Sequence, residues 1–444
     1  MTGLGDLDGP ALASLGREYL LAGHLIDRAG MPPVIARYGR EVMGQVAIDE
    51  WVGASPVYTR RMQRLLGFEG DDVPTIFKGM QLDIGAPHEF MDFRFRVLDP
   101  HHGEFWLACC GALMDVEPMG EDFVLTMCHD IEDPTFDATA GATNPRARVR
   151  PVHRPPRVPA DRTPHCQWTV VVDETAEPLP QPERAARLSE SRAASLPIVP
   201  VRLQGDEVGL VDYAGPFDPD LRLERFAPSP LRTLVGEFAL QGQLLARSFM
   251  TTLADRFGVD VAQDIGHQEF VGIAGLTARR LTRWLGGPTG LAGVARVLQL
   301  HPAFHPRAYV DTRIEGGADG DDEVRLTIGD SPALSEGDDL TWAALLVHGD
   351  ARPLEAIVQA VDPRASVRRT ADGIWSVTLD PGAEPAPEPD EVAVTLFSTG
   401  ADFSFRKTAA GAGPHDTNRS ATLAGPAISL GGRGRTTPLL ERSR

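Results

Sequence analysis

At 444 residues the chain can build two domains or more, each with its own core, and although 42% of it is hydrophobic, no run approaches the roughly 18 apolar residues of a membrane span. A net charge of −19 argues against general nucleic-acid binding, because no whole-molecule field draws such a chain to phosphate. The opening MTGLGDLDGPALASLGREY has early acids and no basic-plus-apolar leader, so a cytoplasmic protein without a signal peptide is expected, its four cysteines serving as thiols, ligands or nucleophiles rather than disulfides.

In chain order, residues 16–30 space Leu20, Leu21, His24 and Leu25 at helical intervals, and Pro32–Pro33 is expected to open a second helix. The helical pattern continues over Arg40–Val52 and Pro56–Leu66, with Gly67 as C-cap. The period then shifts to two: FMDFRFRV (90–97), EFWLAC (104–109) and DFVLTMC (122–128) read as strands. A short helix is expected over 131–141, then strands near 146–153 and 166–173. The unit is therefore α+β, a helical N-terminal half followed by an antiparallel sheet.

The unit is written twice. From Arg17 to Gly67 the chain aligns without a gap on Gly236 to Gly286, an offset of 219, with 17 identities in 51 positions, among them Glu18/Glu237, Gly23/Gly242 and Glu50/Glu269. NPRARVR (144–150) matches DPRASVR (362–368), and CQWTVVVD (166–173) matches GIWSVTLD (373–380), which makes Trp168 and Trp375 core candidates in both copies. The expected organisation is a first repeat over 1–173, a Pro/Glu/Arg-rich linker over 174–230, a second repeat over 231–399 and a disordered tail over 400–444, the repeats packing as an internal pseudo-dimer. EVAVTLFS (391–398) has strand character.

All four cysteines belong to the first copy. Cys128 stands opposite Val347, Cys166 opposite Gly373, His165 opposite Asp372 and Cys109 opposite about Ile328, whereas His129 is matched by His348. The loop before Cys166 is eleven residues longer than its counterpart. These differences place the site in the first copy. Between Asn144 and Cys166 six arginines face one acid, a patch suited to a small carboxylate-bearing ligand, with Arg146, Arg150 and His153 as its candidate contacts.

The order Cys128-x-Asp130, a helix, Asn144–Pro145, the strand RARVRPVHR and Cys166 resembles the L-2-amino-thiazoline-4-carboxylate hydrolase-like domains, over about 17–173 and, without cysteines, 231–380. The resemblance implies hydrolysis of a C–N bond in a small sulfur-containing heterocycle, with Cys128 and Cys166 in the site. The segment PADRTPH departs from the glycine-and-acid turn usual before the second cysteine of that family. A structurally similar group, the vinyl-reductase-like ligand-binding domains, implies instead a non-catalytic sensor or carrier.

The residues allow either chemistry. A thiolate at Cys128 needs a base or positive surroundings, which His129, His165 and the arginines could supply, with Asp130 or Glu132 orienting the base. The expected catalytic set is Cys128, Asp130, Cys166, His165 and Asn144. The metal reading places a divalent ion such as zinc on Cys128, Cys166 and His129, although neighbouring strand residues such as Cys128 and His129 would point to opposite faces. A third reading takes both copies as interaction modules. His24 and His88 stand outside these clusters.

Overall fold

Several of the long helices start where a short polar side chain or a glycine interrupts the apolar pattern. Asp8 accepts the Ala11 amide at 2.9 Å and opens α1 (Gly9–His24); Leu25 separates it from α2 (Ile26–Tyr38), and Gly39 separates α2 from α3 (Arg40–Leu66). Gly67 closes α3 in the left-handed region at φ 63°, as its position predicts. Pro32–Pro33 lies inside α2 rather than at its start, and α3 runs unbroken through Pro56. Asp72 caps α4 (Val73–Met80) by accepting from the Thr75 amide at 2.9 Å. These come from a computed structural model that describes residues 3–318 and 320–406, of which those up to Phe405 form one compact unit.

Strands β1 (Met91–Asp99) and β2 (His102–Cys110) follow as a hairpin. The expected strand over 122–128 does not form. After α5 (Gly111–Val116) comes α6 (Glu121–Leu125), then one π-helical stretch at Thr126–Ile131, then α7 (Glu132–Gly141). Strands β3 (Ala147–His153) and β4 (Cys166–Val172) complete an antiparallel sheet of order β1-β2-β4-β3. Trp168 is fully buried in it, with Phe136 of α7 edge-on at 4.9 Å.

The expected linker is largely structured. It forms α8 (Glu183–Ser189) and then lies against the first half, where Lys78 Nζ donates to the carbonyls of Tyr213 (2.8 Å) and Gly215 (2.6 Å) and Tyr213, Leu221, Leu223 and Phe226 are buried. The second half repeats the plan with α9 (Pro228–Phe257), α10 (Val259–Trp284), α11 (Gly290–Leu300), β5 (Thr312–Gly316), β6 (Val324–Ile328), α12 (Trp342–His348), α13 (Arg352–Gln359), β7 (Ala365–Ala371) and β8 (Ile374–Leu379). Its sheet has the order β5-β6-β8-β7. EVAVTLFS, expected as a strand, instead supplies α14 (Asp390–Thr395), whose Val392 and Thr395 are buried on the α10 side. The pairing Phe105↔Trp168 matches Leu326↔Trp375, so Leu107 is the counterpart of Ile328, and Cys109 and Cys110 fall opposite Asp330 and Ser331.

The halves meet along their helices, α1 and α3 on α9 and α2 on α10. The contacts are reciprocal. Arg61 of α3 forms a bidentate pair with Glu237 (2.8 and 3.1 Å) and donates to the carbonyls of Ala194 and Leu196, while its counterpart Arg280 pairs with Glu18 at 2.8 Å and donates to those of Gly400, Ala401 and Phe403. Tyr38 and Phe257, also counterparts, stack at 4.1 Å. Residues 400–405, expected to begin the disordered tail, are thus held by a buried guanidinium, with Ala401 buried; the expectation for 407–444 lies outside the described residues.

Candidate functional site

The break between α1 and α2 turns His24, Asp27 and Arg28 toward the base of the first sheet. Arg28 is almost fully buried and its Nε donates to Asp115 at 3.0 Å. Asp115 also accepts from the Ser398 hydroxyl (2.6 Å) and from the Thr399 amide and hydroxyl (2.7 Å each), so a segment following the second sheet completes this wall. Arg28 Nη2 donates to His24 Nε2 at 3.4 Å, which leaves Nδ1 as the protonated nitrogen, buried and without an acceptor. Burial and the neighbouring guanidinium hold the His24 imidazole neutral, far below its ordinary pKa.

Helix α3 contributes Glu50, Trp51 and Tyr58. Trp51 Nε1 donates to Asp27 Oδ2 at 3.0 Å, and the Tyr58 hydroxyl donates to Asp83 Oδ1 at 2.8 Å; the Gly85 amide donates to the same oxygen at 2.7 Å. Desolvation raises the Asp27 carboxyl, with Arg28 opposing, and lifts Asp83 to about 6 despite its two donors. Glu50 is completely buried behind Asp27, whose carboxyl is its hydrogen-bond partner; burial, then the Asp27 and Glu269 charges, push its pKa well up and favour the protonated form that can donate to Asp27.

The opposite wall comes from the π-helical stretch and α7. This wider turn, a feature common at functional sites, presents Met127 and Ile131, and the start of α7 presents Glu132, Thr135 and Phe136. Glu132 Oε2 is buried without a partner, and desolvation raises its pKa to about 8, against the pull of Arg154. Together these walls enclose a cavity of about 110 Å³. That is the same order as the roughly 150 Å³ engineered cavities that admit benzene. Its lining is mostly apolar and aromatic, and its ionisable groups are His24, Asp27, Arg28, Tyr58, Asp83 and Glu132.

The residues expected from the sequence to form the site do not line this cavity. Cys110, Cys128 and Cys166 are all buried behind the cavity wall. Desolvation dominates in each: it raises Cys166 to about 12 and carries Cys110 and Cys128 far above the ordinary thiol range, with the Glu132 carboxylate adding to all three. Cys128 and Cys166 do enter each other's field, but as neutral thiols rather than nucleophiles. The His165 Nδ1 accepts the Cys110 amide at 3.1 Å, and burial depresses its basicity. Asn144 closes the turn before β3, donating to the Asp71 carbonyl and accepting from the Arg146 amide. Asp130 is exposed.

The metal and anion expectations are corrected in the same way. His129 Nε2 hydrogen-bonds the Pro155 carbonyl at 2.7 Å, and among the described residues no three His, Cys, Asp or Glu side chains are grouped so as to hold a metal ion, so Cys128, Cys166 and His129 do not converge. Three of the six arginines of the patch are paired with acids of the preceding helices: Arg150 with Asp137, Arg154 with Asp133 and Arg157 bidentate with Glu117 at 2.8 Å. Arg146 is half-buried, its Nε without a partner, and His153, its pKa lowered by burial and Arg162, lies on the outer side of β3; neither lines the cavity.

Of the lining acids, only Glu132 figures in the sequence reading, as an alternative to Asp130. Asp27, Glu132 and His24 are marked in the sequence by the repeat, which aligns Asp27 with Ala246, Glu132 with Ala351 and His24 with Gln243. No protein-family model, curated protein or solved structure matches the chain.

Proposed function

We propose that the first half binds a small molecule bearing a protonated amine on an apolar or aromatic body. The observation that carries this reading is a buried carboxyl oxygen without a hydrogen-bond partner, Glu132 Oε2, in a mostly apolar cavity that also holds Asp27 and whose one arginine is committed to Asp115. An ammonium group would supply Glu132 with a donor and, by its charge, favour the ionised form of that carboxyl, and Trp51, Tyr58, Phe93 and Phe136 line the same cavity. Benzylamine should raise the melting temperature and bind measurably by calorimetry, and benzyl alcohol should not. Asp27→Asn with Glu132→Gln should weaken benzylamine at least tenfold. Equal binding of amine and alcohol would overturn the reading.

A second reading, hydrolysis of a C–N bond, is favoured by one observation: two carboxyls of the same cavity hold protons with different tenacity, Asp83 at about 6 and Glu132 at about 8. At pH 7 Asp83 would accept a proton from water as its oxygen attacks the carbon, and Glu132 would protonate the departing nitrogen. Carboxyls, not thiols, then carry the reaction implied by the hydrolase resemblance. A bell-shaped kcat/KM profile with limbs near pH 6 and 8 would support it; a rate unaffected by Glu132→Gln would exclude it. We infer further that the two halves are copies of one unit packed as an internal pseudo-dimer, supported by the crossed pairs Arg61–Glu237 and Arg280–Glu18, and that the free thiols suit a reducing, cytoplasmic setting.

A further inference from the structure

The crossed arginine pairs lie at two equivalent places on the seam, and the two places are finished differently. Around Arg280 the space is filled by the chain itself: the Phe405 ring lies 5.6 Å from the Arg17 guanidinium and 5.9 Å from that of Arg280, and Arg17 is neutralised by Glu224 at 2.9 Å. Around Arg61 the counterpart of Arg17 is Gly236, and a cavity of about 600 Å³ remains. Three guanidinium groups from separate segments line it: Arg232 on α9, Arg307 before β5 and Arg313 on β5.

Among the described residues none of these three forms an ion pair. Arg232 donates to the Leu4 carbonyl and Arg307 to the Thr312 carbonyl, while Asp311 and Glu207 act on Arg307 and Arg232 only from further off. The one acid in the lining, Glu237, is already occupied by Arg61, and His305 is buried against the Gln299 carbonyl and neutral, its pKa near 4. Leu4, Leu65, Leu196 and Ile314 supply the apolar part of the wall, and Val199 stands 68% exposed at its edge.

We propose that this cavity is a binding site for a small amphiphilic organic anion, its carboxylate or phosphate head held by Arg232, Arg307 and Arg313 and its apolar body lying where Phe405 lies on the opposite seam. Guanidinium forks match both head groups, and the volume falls within the range of about 300–1,000 Å³ usual for small-ligand pockets. The proposal is independent of the acidic cavity and of any chemistry there.

Calorimetric titration of the whole protein with octanoate, octyl phosphate and inorganic phosphate tests it, and the two amphiphiles distinguish the head groups. At least one amphiphile should bind tenfold or more tighter than inorganic phosphate, and Arg307→Gln with Arg313→Gln should reduce its affinity at least tenfold. Because Arg313 is exposed, Arg313→Glu alone leaves the fold intact and should weaken binding at least threefold with an unchanged melting temperature. No binding of either amphiphile at millimolar concentration, or binding indifferent to both variants, would overturn the proposal.

Discussion

The two halves build the same layers but fill them with opposite chemistry. In the first, α3 and α7 leave an acidic cavity; in the second, Trp342 of α12 stacks on Phe270 at 5.1 Å and donates its indole N–H to Glu269 at 3.0 Å. Phe270 and Glu269 are the counterparts of Trp51 and Glu50. One buried carboxylate thus has an indole donor and a filled surrounding, and the other has neither. Asp27, Glu132 and Tyr58 are matched by Ala246, Ala351 and Thr277, and the turn carrying Asp83 has His301–Pro302 in its place. The second half leaves only about 20 Å³ beside Phe270, Thr277 and Trp342, so the fold does not need the larger cavity for stability, and the buried acids of the first half cost stability without a packing reason.

The comparison breaks most severely if the filled half is emptied. Trp342→Ala should destabilise the protein by about 3–5 kcal/mol in urea denaturation, since it removes a buried aromatic side chain and strips Glu269 of its donor. Filling the open half works the other way: Glu132→Gln should stabilise it in a pH-dependent manner. The Glu132 pKa is raised on folding, so its contribution is intact below about pH 4.5 and is lost as pH rises toward 8. Up to about 1.4 kcal/mol per pH unit of that loss should vanish in the variant, read as a flatter melting temperature between pH 5 and 8.

Smaller effects sharpen the placement of the site. Cys128→Ala and Cys166→Ala should each cost roughly 1–2 kcal/mol, as small buried apolar groups do, and leave amine binding within twofold. A tenfold loss of binding with unchanged stability would return the thiols to the site. Arg150→Ala removes an exposed ion pair with Asp137 and should change stability by less than about 1 kcal/mol, with no effect on ligand. The Arg150 result separates a solvated charge from an anion contact.

Much of the scaffold was legible because it is encoded locally. Asp8, Asp72 and Gly67 act as caps within a few residues of themselves, and the alternation through 91–97 and 166–172 reports burial on one face of a strand. Residues 122–128 misled because FVLTM reads as a β-rich apolar run of a length that periodicity cannot assign, and packing against α3 resolves it as helical. EVAVTLFS differs for the same reason: Val392 and Thr395 are buried on α10 and Val394 is exposed, so the segment has no strand partner to alternate against.

What the sequence determined by itself was the internal similarity of its two halves, most but not all of the helices and strands in each, and the fact that one half differs from the other in its chemistry. Only the tertiary structure decided where that difference lies. Cys128 and Cys166 are conspicuous as rare residue types, yet both are buried and desolvation raises their thiol pKa values. Asp27, Asp83 and Glu132 are ordinary acids along the chain and become unusual only because the α1–α2 break, the turn after α4 and the start of α7 converge on one desolvated space. Periodicity and capping are properties of adjacent residues, whereas desolvation belongs to the enclosure, which no segment contains alone.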